Sequence, residues 1–352
     1  MFNTFNQPGG EKRRYITYIC IRNYGDALVQ AAMISNLMGD HLKDIVVICK
    51  KSTSFIFAAR DITCLHLPEK FYNPIEVIKF LYFLYKRKSY VYCFFGDIRE
   101  RLISLFLIRG KVFIPKWPKE NYLNKILRMK GPLFHATSKS LENFNLYADF
   151  KELIIFSKLN TGYIIPKETL NNCPNSSFSK VTATVEVEHR ISLQLMGSIR
   201  EKIIPESIIL LLVNKLLSLN YGLNFIGDKV QIDQLKRLLN LKLCKDISYC
   251  TSFLEGESAI ASSVAFIGID SYWAHYAVLE SKPSFIFTGG IPERAIYPEH
   301  TATFATGTAC DFFPCNNFSF CFNGESAPLS CFGVGNNKLI DFEINKFLET
   351  LK

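Results

Sequence analysis

Short, continuous apolar runs alternate with helical patterns along most of this chain, and that alternation narrows its fold more than any other feature. Tyr15 to Ile21, Ile45 to Ile48, Ile62 to Leu67, Tyr90 to Phe95 and Val112 to Ile114 read as strands. Between them, Ala27 to Met38 has helical spacing through Leu28, Ala31, Ala32, Ile34, Ser35 and Met38. Ile75 to Lys86 and Ile98 to Leu107 read the same way. Strands that alternate with helices, and not with one another, predict a parallel, doubly wound sheet. The pattern lapses at Pro166 to Lys180, an Asn- and Ser-rich stretch that reads as a linker, and then resumes. Strands are expected at 191–195, 223–226, 264–269 and 284–287, with helices at 206–219, 230–239, 253–262 and 340–351. Pro205 heads its helix, where the missing N–H costs nothing. The expected organisation is an α/β domain over residues 1–170, a second over 181–335, and a C-terminal helix within 336–352. Ligands of such sheets bind at the carboxyl ends of the strands, so the crevice between the two domains is the expected site.

The 352 residues are enough for two cores, and 48% hydrophobic with 21% charged residues is a globular balance. No apolar run is long enough to span a bilayer. Met1 to Arg14 is polar and then basic and lacks the apolar h-region of a signal peptide, so a cytosolic protein is expected. In that compartment the eleven cysteines are expected to be reduced thiols. Cys20, Cys49, Cys64, Cys93, Cys173, Cys244 and Cys250 are scattered and read as small buried apolar residues. The formal charge of +9 is concentrated between Lys79 and Lys130, where basic residues outnumber Asp97, Glu100 and Glu120 and are interleaved with Tyr82, Tyr85, Trp117 and Tyr122. Such a surface suits the anionic inner face of a membrane or an anionic glycolipid, and equally a plain solvated face. No nucleic-acid motif accompanies the charge, so no nucleic-acid partner is expected.

The segment Asp270-Ser271-Tyr272-Trp273-Ala274-His275 follows the apolar run Val264 to Ile269 and opens a helix that runs toward Pro283. A strand that delivers Asp-Ser onto a helix start can hold an anion: one side chain caps the first turn, and the remaining N–H groups and the helix dipole face the ligand. His275 follows one turn later on the same face. The bland alternative is an ordinary capped helix.

With three further pieces in order, this segment resembles the heptosyltransferases, glycosyltransferase family 9, whose GT-B fold sets two Rossmann-like domains facing each other. Ile19-Cys20-Ile21-Arg22-Asn23-Tyr24-Gly25-Asp26 is similar to the family's opening strand and Gly-Asp pair. The resemblance makes Asp26 the general base that takes a proton from the acceptor hydroxyl; capping of the following helix is the other reading of Asp26. Leu193 to Pro205 resembles the family's small-residue loop and Lys-Trp-Pro segment, with Ile203-Ile204 replacing the tryptophan. There Ser198 and Lys202 would meet the donor's phosphates. Asn224-Phe225-Ile226-Gly227-Asp228 is similar to the loop beside the nucleotide base. The family's Asp-Ser/Thr-Gly-x-x-His pattern matches Asp270, Ser271 and His275, with Tyr272 in place of the glycine that lets the backbone approach a pyrophosphate.

The resemblance implies a glycosyltransferase, inverting, that carries a sugar (a heptose in the family) from a nucleotide-sugar donor to a lipopolysaccharide or related surface-glycan acceptor. Ser198, Lys202, Gly227, Asp270, Ser271 and His275 would hold the donor. No Asp-x-Asp pair occurs, which agrees with metal-independent catalysis needing no cofactor. Cys310, Cys315, Cys321 and Cys331 look inherited from the family, with four, five and nine residues between them. That spacing is looser than a zinc ribbon, and a structural zinc and free thiols both stay open. Two rivals share the architecture: a polysaccharide pyruvyltransferase, whose opening Asn23-Tyr24-Gly25-Asp26 also resembles but whose Arg-x-His motif is missing, and a non-catalytic glycan-binding scaffold.

Overall fold

The computed structural model describes residues 15–68, 75, 77–80, 82, 89–94, 100, 103, 111–113, 146–160, 188–197, 204–239, 246–288, 296–298, 301–304 and 337–352. The chain divides into two compact units that are interleaved in sequence. The first draws on Met1–Arg22, Ile34–Ala136 and Glu152–Lys167, and the second on Asn23–Met33, Thr137–Lys151 and Glu168–Lys352.

The first unit is built on five parallel strands: β1 (Tyr15–Cys20), β2 (Ile45–Cys49), β3 (Thr63–His66), β4 (Ser89–Cys93) and β5 (Lys111–Phe113), in the order β3-β2-β1-β4-β5. All five residues of β2 are buried, as expected of a strand covered on both faces. In this unit the strand predictions hold to within two residues at either end, and the helix after β1 starts earlier than its spacing suggested. Helix α1 (Tyr24–Met38) takes in Gly25 and Asp26, so Asp26 is its third residue and not its cap. Two helices lie outside the sequence expectations: the short α2 (Ser54–Ala58) and the 15-residue α3 (Leu146–Asn160). The C-terminal part of α3 is pinned to this sheet by polar contacts. Ser157 Oγ donates to Ile154 O at 2.7 Å, so the Tyr18 hydroxyl donates to Ser157 Oγ, while the Tyr92 hydroxyl reaches Ser157 O at 3.4 Å. Burial pushes the pKa of both tyrosines up, which keeps them neutral donors.

The second unit is a six-stranded parallel sheet: β6 (Glu188–Gln194), β7 (Gly222–Ile226), β8 (Ile247–Cys250), β9 (Ser263–Ile269), β10 (Ser284–Phe287) and β11 (Ala302–Phe304), in the order β11-β10-β9-β6-β7-β8. The helices are α4 (Glu206–Ser218), α5 (Lys229–Leu239), α6 (Phe253–Ser262), α7 (Tyr272–Leu279) and α8 (Asn337–Glu349). Ile340, Ile344, Phe347 and Leu348 of α8, spaced on one helical face, join the core made by Ile191, Leu193, Phe225, Ile267 and the inner face of α4. An ion pair between Lys215 and Asp341 closes the solvent side of that contact.

A polar seam runs through this sheet toward its amino end. Ser192, Asn224 and Ser263 are buried and bonded in sequence, at 2.8 Å for Ser192 to Ser263 and 3.1 Å for Asn224 Nδ2 to Ser263 Oγ. Arg190 completes it, donating to Asn224 Oδ1 at 2.8 Å and to the Leu223 and Asp246 carbonyls at 3.0 and 3.1 Å. A parallel strand shifted by one residue would lose every one of these bonds, so the seam fixes register. Cys20, Cys49, Cys93 and Cys250 are buried thiols and Cys64 is half-buried; Cys173 and Cys244 lie outside the described residues. Among the described residues, no helix is long and apolar enough to cross a membrane.

Candidate functional site

In each sheet the strand order reverses once, between β1 and β4 and between β6 and β9. Such a switch point opens a crevice at the carboxyl ends of the two strands. The residues that follow β1 are Ile21 to Asp26, and those that follow β9 are Asp270 and Ser271. Two of the motifs singled out by sequence therefore sit at switch points.

After β9 the backbone is anchored by Asp270 N donating to Phe287 O at 3.1 Å. Ser271 is in extended conformation and caps α7, its Oγ accepting from Ala274 N at 3.4 Å. The same hydroxyl donates to Gln194 Oε1 at the end of β6. It thereby ties together the two strands on either side of the switch point. Gln194 is steadied in turn by donating to Met196 O at 3.2 Å.

His275 is 4% exposed and lies against Tyr147, Tyr297 and Asp270. Its Nδ1 is 3.1 Å from the Tyr147 hydroxyl, its ring stacks on Tyr297 with centroids 4.9 Å apart, and its Nε2 is 3.8 Å from Asp270 Oδ1. That carboxylate oxygen also accepts from the Tyr297 hydroxyl at 2.7 Å. Burial, followed by the Asp270 charge, pushes the ionisation of Tyr147 and of Tyr297 well above the ordinary phenol range. Both phenols are protonated at physiological pH.

The edge of the His275 ring is where α1 enters. A Cβ at Gly25 would lie 2.8 Å from His275 Cδ2 and 3.3 Å from Nε2. Only glycine allows the first turn of α1, with Asp26 as the next residue, to come this close. Gly25, Asp26, Tyr147, Asp270, Ser271 and His275 all belong to the second unit, although Gly25 and His275 lie 250 positions apart in the sequence, by subtraction of their numbers.

Tyr272, read from sequence as an obstacle where the family has glycine, is engaged with α6. Its hydroxyl donates to Glu257 Oε1 at 2.6 Å, and its ring meets Phe253 edge-on at 4.9 Å. Phe253 in turn touches the Tyr24 ring, with centroids at 5.6 Å. Trp273 packs so closely on α6 that a Cβ at Gly256 would lie 2.5 Å from its ring. The amino end of α6 is closed by a capping box of Ser252 and Glu255.

Gly227 directly follows β7, where its N–H donates to Cys250 O at 3.1 Å. Beside it, Asp228 and Gln231 cap α5 reciprocally, with both bonds at 2.9 Å. Ser198, Lys202, Cys310, Cys315, Cys321 and Cys331 lie outside the described residues. Among the described residues, no group of three or more His, Cys, Asp and Glu side chains is placed to hold a metal ion. Sequence reasoning missed Tyr147 and Tyr297, which carry no motif; the one signal, a tyrosine one residue into a helix, is too common to single out.

No protein-family model matches the chain, and no curated protein matches it by sequence. Solved structures do match. A glycosyltransferase family 9 protein from Veillonella parvula aligns with TM-score 0.63 at 11% identity, over 97% of this chain and 100% of that one. The E. coli ADP-heptose lipopolysaccharide heptosyltransferase II aligns with TM-score 0.61 at 13% identity, over 96% of this chain and 99% of that one. The E. coli heptosyltransferase WaaC, solved with ADP-2-deoxy-2-fluoro heptose, aligns with TM-score 0.61 at 12% identity, over 83% of this chain and 93% of that one. At these identities the likeness is one of architecture, and the chain has the α/β, GT-B fold of the family 9 heptosyltransferases.

Proposed function

We propose that this protein is a glycosyltransferase that moves a sugar from a nucleoside-diphosphate donor to a glycan acceptor. The observation that carries the reading is the contact of Gly25 with His275, which sets the Gly-Asp turn of α1 beside the Asp-Ser-x-x-x-His turn of α7. A carboxylate and an anion-binding helix start are the two parts that inverting transfer needs. In the proposed step Asp26 takes the proton of the acceptor hydroxyl as that oxygen bonds to the anomeric carbon. The bond from that carbon to the diphosphate breaks, and its electron pair leaves with the phosphate oxygen. Ser271, the α7 amino end and His275, with Ser198, Lys202 and Gly227, would stabilise that leaving charge without a metal.

The donor class is supported by the fold likeness to an enzyme solved with an ADP-linked heptose analogue, and an adenosine diphosphate sugar is the first donor to test. A lipopolysaccharide or related surface glycan is the proposed acceptor, met from the inner face of the membrane through the basic 79–130 stretch. The test is turnover of an ADP-heptose donor with a lipid A-core acceptor, wild type against Asp26→Ala. Loss of turnover in the variant with ADP binding retained fits the base assignment. Equal turnover in both removes Asp26 from catalysis, and glycan binding without turnover in the wild type favours the scaffold reading.

A further inference from the structure

We infer that Tyr147 is a positioning residue that fixes the tautomer of His275, holding the imidazole neutral with its proton on Nε2. The assignment deepens the proposed function, and it relies on that reading only for its effect on the donor.

The pair Tyr147 Oη and His275 Nδ1, 3.1 Å apart, admits two arrangements. Either the phenol donates to a lone pair on Nδ1, or an N–H on Nδ1 donates to the phenol oxygen. Tyr147 is 3% exposed, and Nδ1 is its one hydrogen-bond partner among the described residues. If Nδ1 donated, the buried phenol proton would have no acceptor among the described residues, at the cost of a lost hydrogen bond and its desolvation. The phenol therefore donates, and Nδ1 carries the lone pair.

The other side of the ring agrees. Nε2 faces Asp270 Oδ1 at 3.8 Å, and the Tyr297 hydroxyl holds that oxygen in place at 2.7 Å. An N–H toward a carboxylate is attractive, while the alternative tautomer would turn a lone pair toward it. Tyr297 stacks on the imidazole with the ring planes 28° apart. The Cδ2–Nε2 edge that packs on Gly25 is consequently a hydrogen-bond donor edge. That N–H is directed at Asp270, so Tyr147 acts on the donor indirectly, by keeping the Asp270–His275 pair, and with it the Asp270-Ser271 turn, in one arrangement.

The experiment is a long-range proton–nitrogen correlation spectrum of the full chain labelled at histidine, with His275→Gln used to assign the resonance among the six histidines. The expected spectrum shows His275 wholly as the neutral Nε2–H form near neutral pH. In Tyr147→Phe, which keeps the ring, the His275 signals move toward a mixture of tautomers, and ADP binding by calorimetry weakens about tenfold. A wild-type spectrum showing the Nδ1–H form or the imidazolium overturns the assignment, and so does a folded Tyr147→Phe whose tautomer is unchanged. If the wild type shows the Nε2–H form and binds no ADP, the donor reading fails while the role of Tyr147 stands. Should Tyr147→Phe not fold, the wild-type spectrum alone decides.

Discussion

Gly25 has no room for a side chain, and that single contact makes the α1 turn sensitive to substitution. Gly25→Ala drives a methyl to within 2.8 Å of a buried imidazole. The expected cost is about 1–3 kcal/mol of stability, checked by denaturant unfolding, with a larger loss of turnover because Asp26 is displaced. Asp26→Asn keeps the shape and removes the base; turnover should fall by roughly a hundred- to ten-thousand-fold with little change in the unfolding midpoint. A drop in stability equal to that of Gly25→Ala would instead mark Asp26 as a helix-supporting residue. Tyr272→Phe deletes one hydroxyl bonded to Glu257 and should cost about 1 kcal/mol. Nucleotide affinity should stay as it is, since the ring remains against α6.

At the scale of elements, the capping box of α6 gives two further expectations. Ser252→Ala should lower stability by about 1 kcal/mol, read by chemical denaturation. Backbone N–H groups of Thr251 and Ser252 hold the Glu255 carboxyl below its ordinary value. A depressed carboxyl stabilises the fold above the pKa of the unfolded chain and loses that contribution as pH falls through the folded value. Wild type and Glu255→Gln should therefore differ in stability at neutral pH and converge in acid. A gap that widened on acidification would reverse the sign and refute the cap.

The same elements show what the sequence made legible. Continuous apolar runs such as Ile45 to Ile48 are unmistakable because both faces of the strand are buried, and the helix expected over 253–262 coincides with α6. Strands β8 and β11 escaped because they lie at sheet edges, where Ile247-Ser248-Tyr249-Cys250 and Ala302-Thr303-Phe304 need no long apolar run. Gly25, Asp26, Asp270, Ser271 and His275 were visible as spaced motifs at strand ends. Tyr147 and Tyr297 were not, since a residue that acts by touching another 128 or 22 positions away, by subtraction of their numbers, leaves no local pattern.

For the whole molecule, the first comparison is thermal unfolding in the presence of ADP, UDP, GDP and CMP. A nucleotide at a hundred times its dissociation constant adds about 2.7 kcal/mol of stability, a visible rise in midpoint. One nucleotide standing apart from the others would name the donor class. No shift with any of them would count against a donor site and for a scaffold. The order of the strands bears on how the molecule is assembled as well as on what it binds. The turn bearing Gly25 and Asp26 and the start of α3 bearing Tyr147 are laid down early in the chain, yet they pack with the unit that holds His275. A protein divided at the 166–180 stretch would leave Asp270, Ser271, His275 and Tyr297 on one fragment and Gly25, Asp26 and Tyr147 on the other. Its two pieces would rebuild the site only by associating, so activity of the split protein should depend on concentration and fade on dilution, while that of the intact chain should not.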